Sequence, residues 1–240
     1  MLAWSFLTVL PSPRIAAGSE TLASALAFFP VVGMVLGALL GGLGMLLDRA
    51  LPPGPVAILL LSVEVTITGG LHLDGLMDTA DGVFGGQTAE RRLEIMRDSR
   101  VGSFGALAGA LALIAQFACL SDLAGVTRLI ALVVTLGLGR WAMVTAIGRF
   151  PSARATGLGA TFQAAGRRRS VVLATLVSIL VACATGLPGL VACVCAVGVV
   201  FLGGHFFTKR LGGLTGDTYG ALAVITETAV LFVAVAFRGA

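Results

Sequence analysis

Charge is scarce in this 240-residue chain: Asp, Glu, Lys and Arg together make up 12 %, against about a quarter in soluble domains. Mean hydropathy is +1.01, and long apolar runs recur from end to end. A soluble core of this size is excluded, and one all-α domain forming a polytopic membrane bundle is expected. Lysine is nearly missing, since Lys209 is the one non-arginine among 16 basic residues. The arginines stand at the ends of apolar runs and form no aromatic-studded patch, so no nucleic-acid partner is expected. Cys119, Cys183, Cys193 and Cys195 lie in apolar runs, and Cys193-Val-Cys195 lacks the spacing of a zinc or redox pair.

Seven segments are apolar and long enough to cross a bilayer: about 22–47, 55–71, 103–121, 126–148, 170–187, 188–207 and 219–237. Residues 1–18 begin apolar, carry Trp4 and then Pro11 and Pro13, and read as an interfacial segment. Alternate gaps between the spans carry 12 basic residues on one side and three on the other. The positive-inside rule then puts the N-terminus in the cytoplasm, and with it three long polar loops at 72–102, 149–169 and 208–218. Gly33, Gly37, Gly41 and Gly44 recur at helical offsets and predict close helix packing.

Acidic groups are also few, 12 in all, yet residues 69–82 gather His72, Asp74, Asp78 and Asp81. On a helix the three aspartates fall within an arc of roughly 60°. Such crowding resists joint ionisation unless a cation sits among the carboxylates. Hard oxygen donors suit Mg²⁺, or Mn²⁺ in its place, held by a few carboxylates and substrate phosphates. The segment is the candidate active site.

The remaining polar groups point to the same side. Arg97 and Arg100 precede Gly102, where a helix N-terminus would offer backbone N–H groups to a phosphate. Arg154 flanks the flexible Gly157-Leu-Gly159 and suits a loop closing over an anion, whereas Arg167, Arg168 and Arg169 read as a topology signal and lipid-phosphate contact. Thr215, Asp217 and Tyr219, the single tyrosine, share the third loop. Asp217 reads either as a ligand of the same metal or as the cap of the last span. Glu64 and Glu227 fall inside spans, where a charge costs several kcal/mol and marks a ligand, a proton carrier or the partner of a basic group such as Arg140. Glu64, Thr68 and His72 would line one stripe running into the acidic motif.

The run Thr68-Gly-Gly-Leu-His72-Leu-Asp74-Gly-Leu-Met-Asp78-Thr-Ala-Asp81-Gly82, then Arg92-Leu-Glu-Ile-Met-Arg-Asp98-Ser-Arg100-Val-Gly-Ser-Phe-Gly105, closely resembles the cobalamin synthase family. So do Gly157-Leu-Gly159, the segment from Thr215 to Ala221, and Glu227. Met77 stands where the family commonly has alanine. The resemblance implies an integral enzyme of the bacterial cytoplasmic membrane with adenosylcobinamide-GDP ribazoletransferase activity. It would join α-ribazole, or its 5′-phosphate, to adenosylcobinamide-GDP with Mg²⁺ and release GMP. Asp74, Asp78 and Asp81 would hold the metal, with Asp217, Glu64 and Glu227 as further ligands. His72 would take the hydroxyl proton or orient a carboxylate. Arg97, Arg100 and Arg154 would clamp phosphates, with Thr215 and Tyr219 as further substrate contacts. Two alternatives stand beside it. A CDP-alcohol phosphotransferase-like lipid synthase also uses spaced aspartates, but Asp74-Gly75 is not followed by its x2-Ala-Arg. A cation-coupled transporter would show inverted repeats, which the sequence lacks.

Overall fold

The computed structural model describes residues 1–11, 24–154 and 167–239. It is all-helical apart from a single parallel bridge between Ser152 and Leu214. The helices are α1 (Leu2–Leu7), α2 (Phe29–Leu47), α3 (Pro53–Thr68), α4 (Leu71–Gly85), α5 (Ala89–Ile95), α6 (Ser103–Asp122), α7 (Gly125–Arg149), α8 (Arg167–Cys183), α9 (Leu187–Leu211) and α10 (Gly216–Ala236).

Among the described residues, five helices are long and apolar enough to cross a membrane: Ser24–Leu47, Ser103–Asp122, Gly125–Arg149, Leu187–Leu211 and Gly216–Ala236. The expected second span is not continuous. It breaks after Thr68, and α3 and α4 meet at 87°. Gly69 and Gly70 make the corner with φ of +62° and +69°, a left-handed backbone that a Cβ disfavours. The expected fifth span corresponds to α8, which has 17 residues. The expected seven spans are therefore five continuous helices, one bent pair and the shorter α8. Residues 72–102 are not a loop, since α4 and α5 occupy most of them, and the third connection shrinks to residues 212–215.

The core centres on α7, whose residues from Ala131 to Ile147 are nearly all buried. α2 runs antiparallel to it at close range. A Cβ on Gly33, Gly37 or Gly41 would strike the backbone of Leu136, Leu132 or Leu129 in turn, as expected for small residues at a helix crossing. The segment 1–11 packs on the bundle and does not merely lie beside it. Ala3 and Leu7 are buried, Phe6 stacks on Phe29 at 5.5 Å, and Val9 N–H donates to the Ile67 carbonyl at 2.8 Å. Residues 12–18 lie outside the described residues.

The bundle has two distinct ends. At one, Arg128 pairs with Asp48 at 2.9 Å and Arg238 with Asp122 at 2.7 Å, joining the end of α2 to the start of α7 and the ends of α6 and α10. At the other end, α4 turns away from α3 and packs against the first turns of α6 and α10. The aspartates of the acidic motif lie at this second end.

Candidate active site

The arc of three aspartates on α4 forms, but its members meet three environments. Asp74 is exposed and Asp78 half-buried, while Asp81 is 8 % exposed and turns into the contact with α6. Gly102 N–H and Gly105 N–H donate to the two Asp81 oxygens, each at 2.8 Å. The α6 N-terminus expected to receive a phosphate is thus already closed by an internal carboxylate. That contact needs glycine at both positions, because a Cβ on either would strike Asp81.

α10 supplies the next acid. Gly75 lets the two backbones meet, since a Cβ there would lie 2.7 Å from the Asp217 carbonyl oxygen. Asp217 is not the helix cap. Thr215 caps α10, accepting from Thr218 N–H at 3.3 Å while its own N–H donates to Thr218 Oγ1 at 2.8 Å. The half-buried Asp217 carboxylate accepts from Thr215 Oγ1 at 3.2 Å and lies 3.6 Å from Arg154 Nη2. Burial first, and then the Asp74, Asp217 and Asp81 carboxylates, push Asp78 up to about 6, with Arg154 opposing them. The open face therefore gathers Asp74 and Asp78 from α4, Asp217 from α10 and Arg154 from the segment after α7.

The other candidates lie elsewhere. His72 is 4 % exposed and lines a small cavity of about 30 Å³ with Glu64, Thr68, Gln116 and Glu227. Its Nε2 has no hydrogen-bond partner among the described residues. Glu227 pairs with the fully buried Arg140, whose charge also reaches Glu64. The stripe expected from Glu64 through Thr68 to His72 exists, but it faces inward across the bend, away from the Asp74 side of α4. Arg97 is exposed, and Arg100 pairs with Asp98 at 2.6 Å in the open. Tyr219 is buried in the core, and Gly157 and Gly159 lie outside the described residues.

Residues 1–235 match the family described as cobalamin-5-phosphate synthase. The chain belongs to this family. Three curated relatives carry the name adenosylcobinamide-GDP ribazoletransferase. That of Desulforamulus reducens is 44 % identical over 234 residues, 96 % of this chain and 93 % of its own length. That of Roseiflexus sp. is 43 % identical over 232 residues, 94 % and 85 %. That of Desulfitobacterium hafniense is 36 % identical over 243 residues, 98 % and 95 %. No solved structure matches the chain. The family is the one the acidic motif resembles, and the chain is an enzyme, a transferase of cobalamin biosynthesis.

For a cobalamin-5-phosphate synthase family member, the donor set on the open face suits a hard divalent cation. Asp74, Asp78 and Asp217 offer only carboxylate oxygens, the ligands Mg²⁺ and Mn²⁺ prefer. As the side chains stand, no three His, Cys, Asp or Glu groups among the described residues converge closely enough to hold an ion. Three carboxylates facing one guanidinium nevertheless leave a surplus of negative charge that a divalent ion would match. Sequence reasoning missed Arg92, whose Nη1 donates to the Arg210 carbonyl at 3.0 Å and closes the end of α9. It also missed the ion pair of Arg128 with Asp48. Neither has a local signal, because each partner lies at least 80 residues away.

Proposed function

We propose that this protein is a multi-pass enzyme of the bacterial cytoplasmic membrane that joins adenosylcobinamide-GDP to α-ribazole, or to its 5′-phosphate. The products are adenosylcobalamin, or its 5′-phosphate, and GMP. A hydroxyl of the ribazole attacks the phosphorus carrying the cobinamide arm. The new P–O bond forms as the anhydride bond to the guanosine phosphate breaks, and GMP leaves with the electron pair.

One observation carries the reading in a chain of this family. Asp74, Asp78, Asp217 and Arg154 come from three separate segments to one open face. Phosphoryl transfer asks chiefly for positioning and charge neutralisation. Asp74, Asp78 and Asp217 would hold Mg²⁺, or Mn²⁺ in its place, and the ion would offset charge on the phosphoryl and leaving-group oxygens. Arg154 binds a phosphate oxygen. Asp81 acts by fixing α4 to α6. The arginine asymmetry supports a cytoplasmic site, within reach of soluble nucleotide substrates.

The test is purified protein in lipid, supplied with adenosylcobinamide-GDP, α-ribazole and Mg²⁺. Cobalamin and GMP should appear in equal amounts, and chelation of the metal should stop both. Turnover that survives chelation would remove the metal from the scheme, and no cobalamin at all would remove the reaction.

A further inference from the structure

Arg154 is placed with care but bonded loosely. Its backbone is clipped to the connection before α10: Leu214 N–H donates to the Pro151 carbonyl at 2.8 Å, and Ala153 N–H donates to the Leu214 carbonyl at 2.9 Å. Ser152 Oγ adds a bond to the Arg154 carbonyl at 2.8 Å. Its guanidinium stands 3.6 Å from Asp217, beyond hydrogen-bonding range, and its charge also reaches Asp78. Nε and Nη2 are buried, yet neither donates to any acceptor among the described residues. A permanent arginine partner would form a bidentate pair at about 2.7–2.9 Å. Here the backbone is fixed, the carboxylates are near, and two donors remain for another anion.

We propose that Arg154 is a built-in counter-cation that competes with the divalent metal for Asp78 and Asp217, and that turns to a substrate phosphate when the metal takes its place. The inference rests on the metal reading above. Three ionised carboxylates against one guanidinium leave two negative charges, the complement of one divalent ion. Guanidinium and metal repel one another, so each weakens the other's hold on the shared carboxylates. An arriving phosphate gives Arg154 a new partner and relieves that repulsion, so metal and phosphate-bearing substrate bind cooperatively.

The experiment is Mn²⁺ binding to the purified protein without substrate, followed by electron paramagnetic resonance. Arg154→Gln and Arg154→Met should both bind Mn²⁺ about tenfold more tightly than the wild type, having lost one repelling charge. Arg154→Lys should stay near the wild-type affinity, and Asp78→Asn should bind weakly. Should one neutral variant fail to fold, the other carries the test. Equal or weaker Mn²⁺ binding by a folded neutral variant, with Asp78→Asn still impaired, overturns the counter-cation and leaves the metal site standing. Mn²⁺ binding that ignores Asp78→Asn overturns both.

Discussion

The carboxylate of Asp81 accepts the Gly105 amide at 2.8 Å, and this bond ties the acidic helix to the start of α6. With the matching bond from Gly102, it satisfies two of the backbone donors that every helix N-terminus leaves open. A negative charge at that position is also favoured by the helix dipole. Asp81 and Asp78 should therefore respond differently to the same change. Asp81→Asn should lose about 1–3 kcal/mol of stability, because one buried amide loses its acceptor, while Mn²⁺ affinity per folded molecule changes little. Asp78→Asn should do the reverse. Thermal unfolding and Mn²⁺ titration on both variants check this, and a large loss of Mn²⁺ affinity in Asp81→Asn would return it to the ligand set.

A second expectation follows from the pKa of Asp78. Its value of about 6 in the fold lies above the ordinary 3.8. A carboxyl raised in this way favours the folded state when protonated. Its contribution is fully present below the ordinary value and is lost as pH rises through about 6. Protein prepared with chelator should therefore lose thermal stability between about pH 4 and pH 6, and Mg²⁺ should restore it at pH 7. Binding near pH 6 should release protons, because the ligand must be ionised. Asp78→Asn should remove most of this loss, leaving the part owed to Asp217, whose carboxyl burial also pushes up, and an unchanged profile would place its origin elsewhere.

The two kinds of ion pair in the bundle should differ sharply. Arg140 and Glu227 are both almost fully buried, on α7 and α10, with Glu64 close by. Removing one partner leaves an uncompensated buried charge, and Glu227→Ala or Arg140→Ala should cost about 3–5 kcal/mol. Arg238 and Asp122 are each about half exposed. Breaking that pair should cost less than about 1 kcal/mol. Reversible unfolding in mild detergent measures both.

Much of this arrangement could be read from the chain, for physical reasons that also mark where reading stopped. The arginine asymmetry and the spacing of apolar runs brought the segments around Asp74, Arg154 and Asp217 to one end, because alternating spans leave no other choice. The helical spacing of Asp74, Asp78 and Asp81 was also legible. Their environments were not, since these depend on what α6 and α10 place against each turn. The α6 N-terminus looked open because Asp81 lies 21 residues from Gly102, and nothing local announces a cap at that distance. His72 looked like part of the acidic face through adjacency in sequence, yet two residues along a helix turn by about 200°. Residues 72–102 read as a loop because polar groups interrupt hydropathy, although their periodicity is helical. Thr215 rather than Asp217 became the cap through the reciprocal bonds with Thr218.

The bend between α3 and α4 predicts a local cost. Gly69→Ala and Gly70→Ala each force a Cβ into the left-handed region, at about 1–2 kcal/mol. Gly69 carries a further penalty, because its Cβ would lie 2.8 Å from the Val9 side chain of the N-terminal segment. Gly69→Ala should therefore be the more damaging of the two in thermal unfolding. Equal losses would mean that the backbone alone sets the cost.

Gly75→Ala separates placement of the site from stability of the bundle. A Cβ at position 75 would lie 2.7 Å from the Asp217 carbonyl oxygen and 3.1 Å from its Cα. Both are backbone atoms, so no side chain can swing aside, and the start of α10 must move away from α4. Alanine is also the better helix former, by about 1 kcal/mol, which offsets part of the loss in packing. Stability should thus fall only modestly. Chemistry should fall much further, because displacements of about 1 Å at a positioned site cost on the order of 10²-fold in rate. Asp217 would be carried away from Asp78 while every carboxylate remained in the chain. The signature is a raised Mg²⁺ requirement with weakened Mn²⁺ binding, on a protein that still unfolds cooperatively. A Gly75→Ala protein with normal Mg²⁺ dependence would show that Asp217 does not share the metal with Asp74 and Asp78.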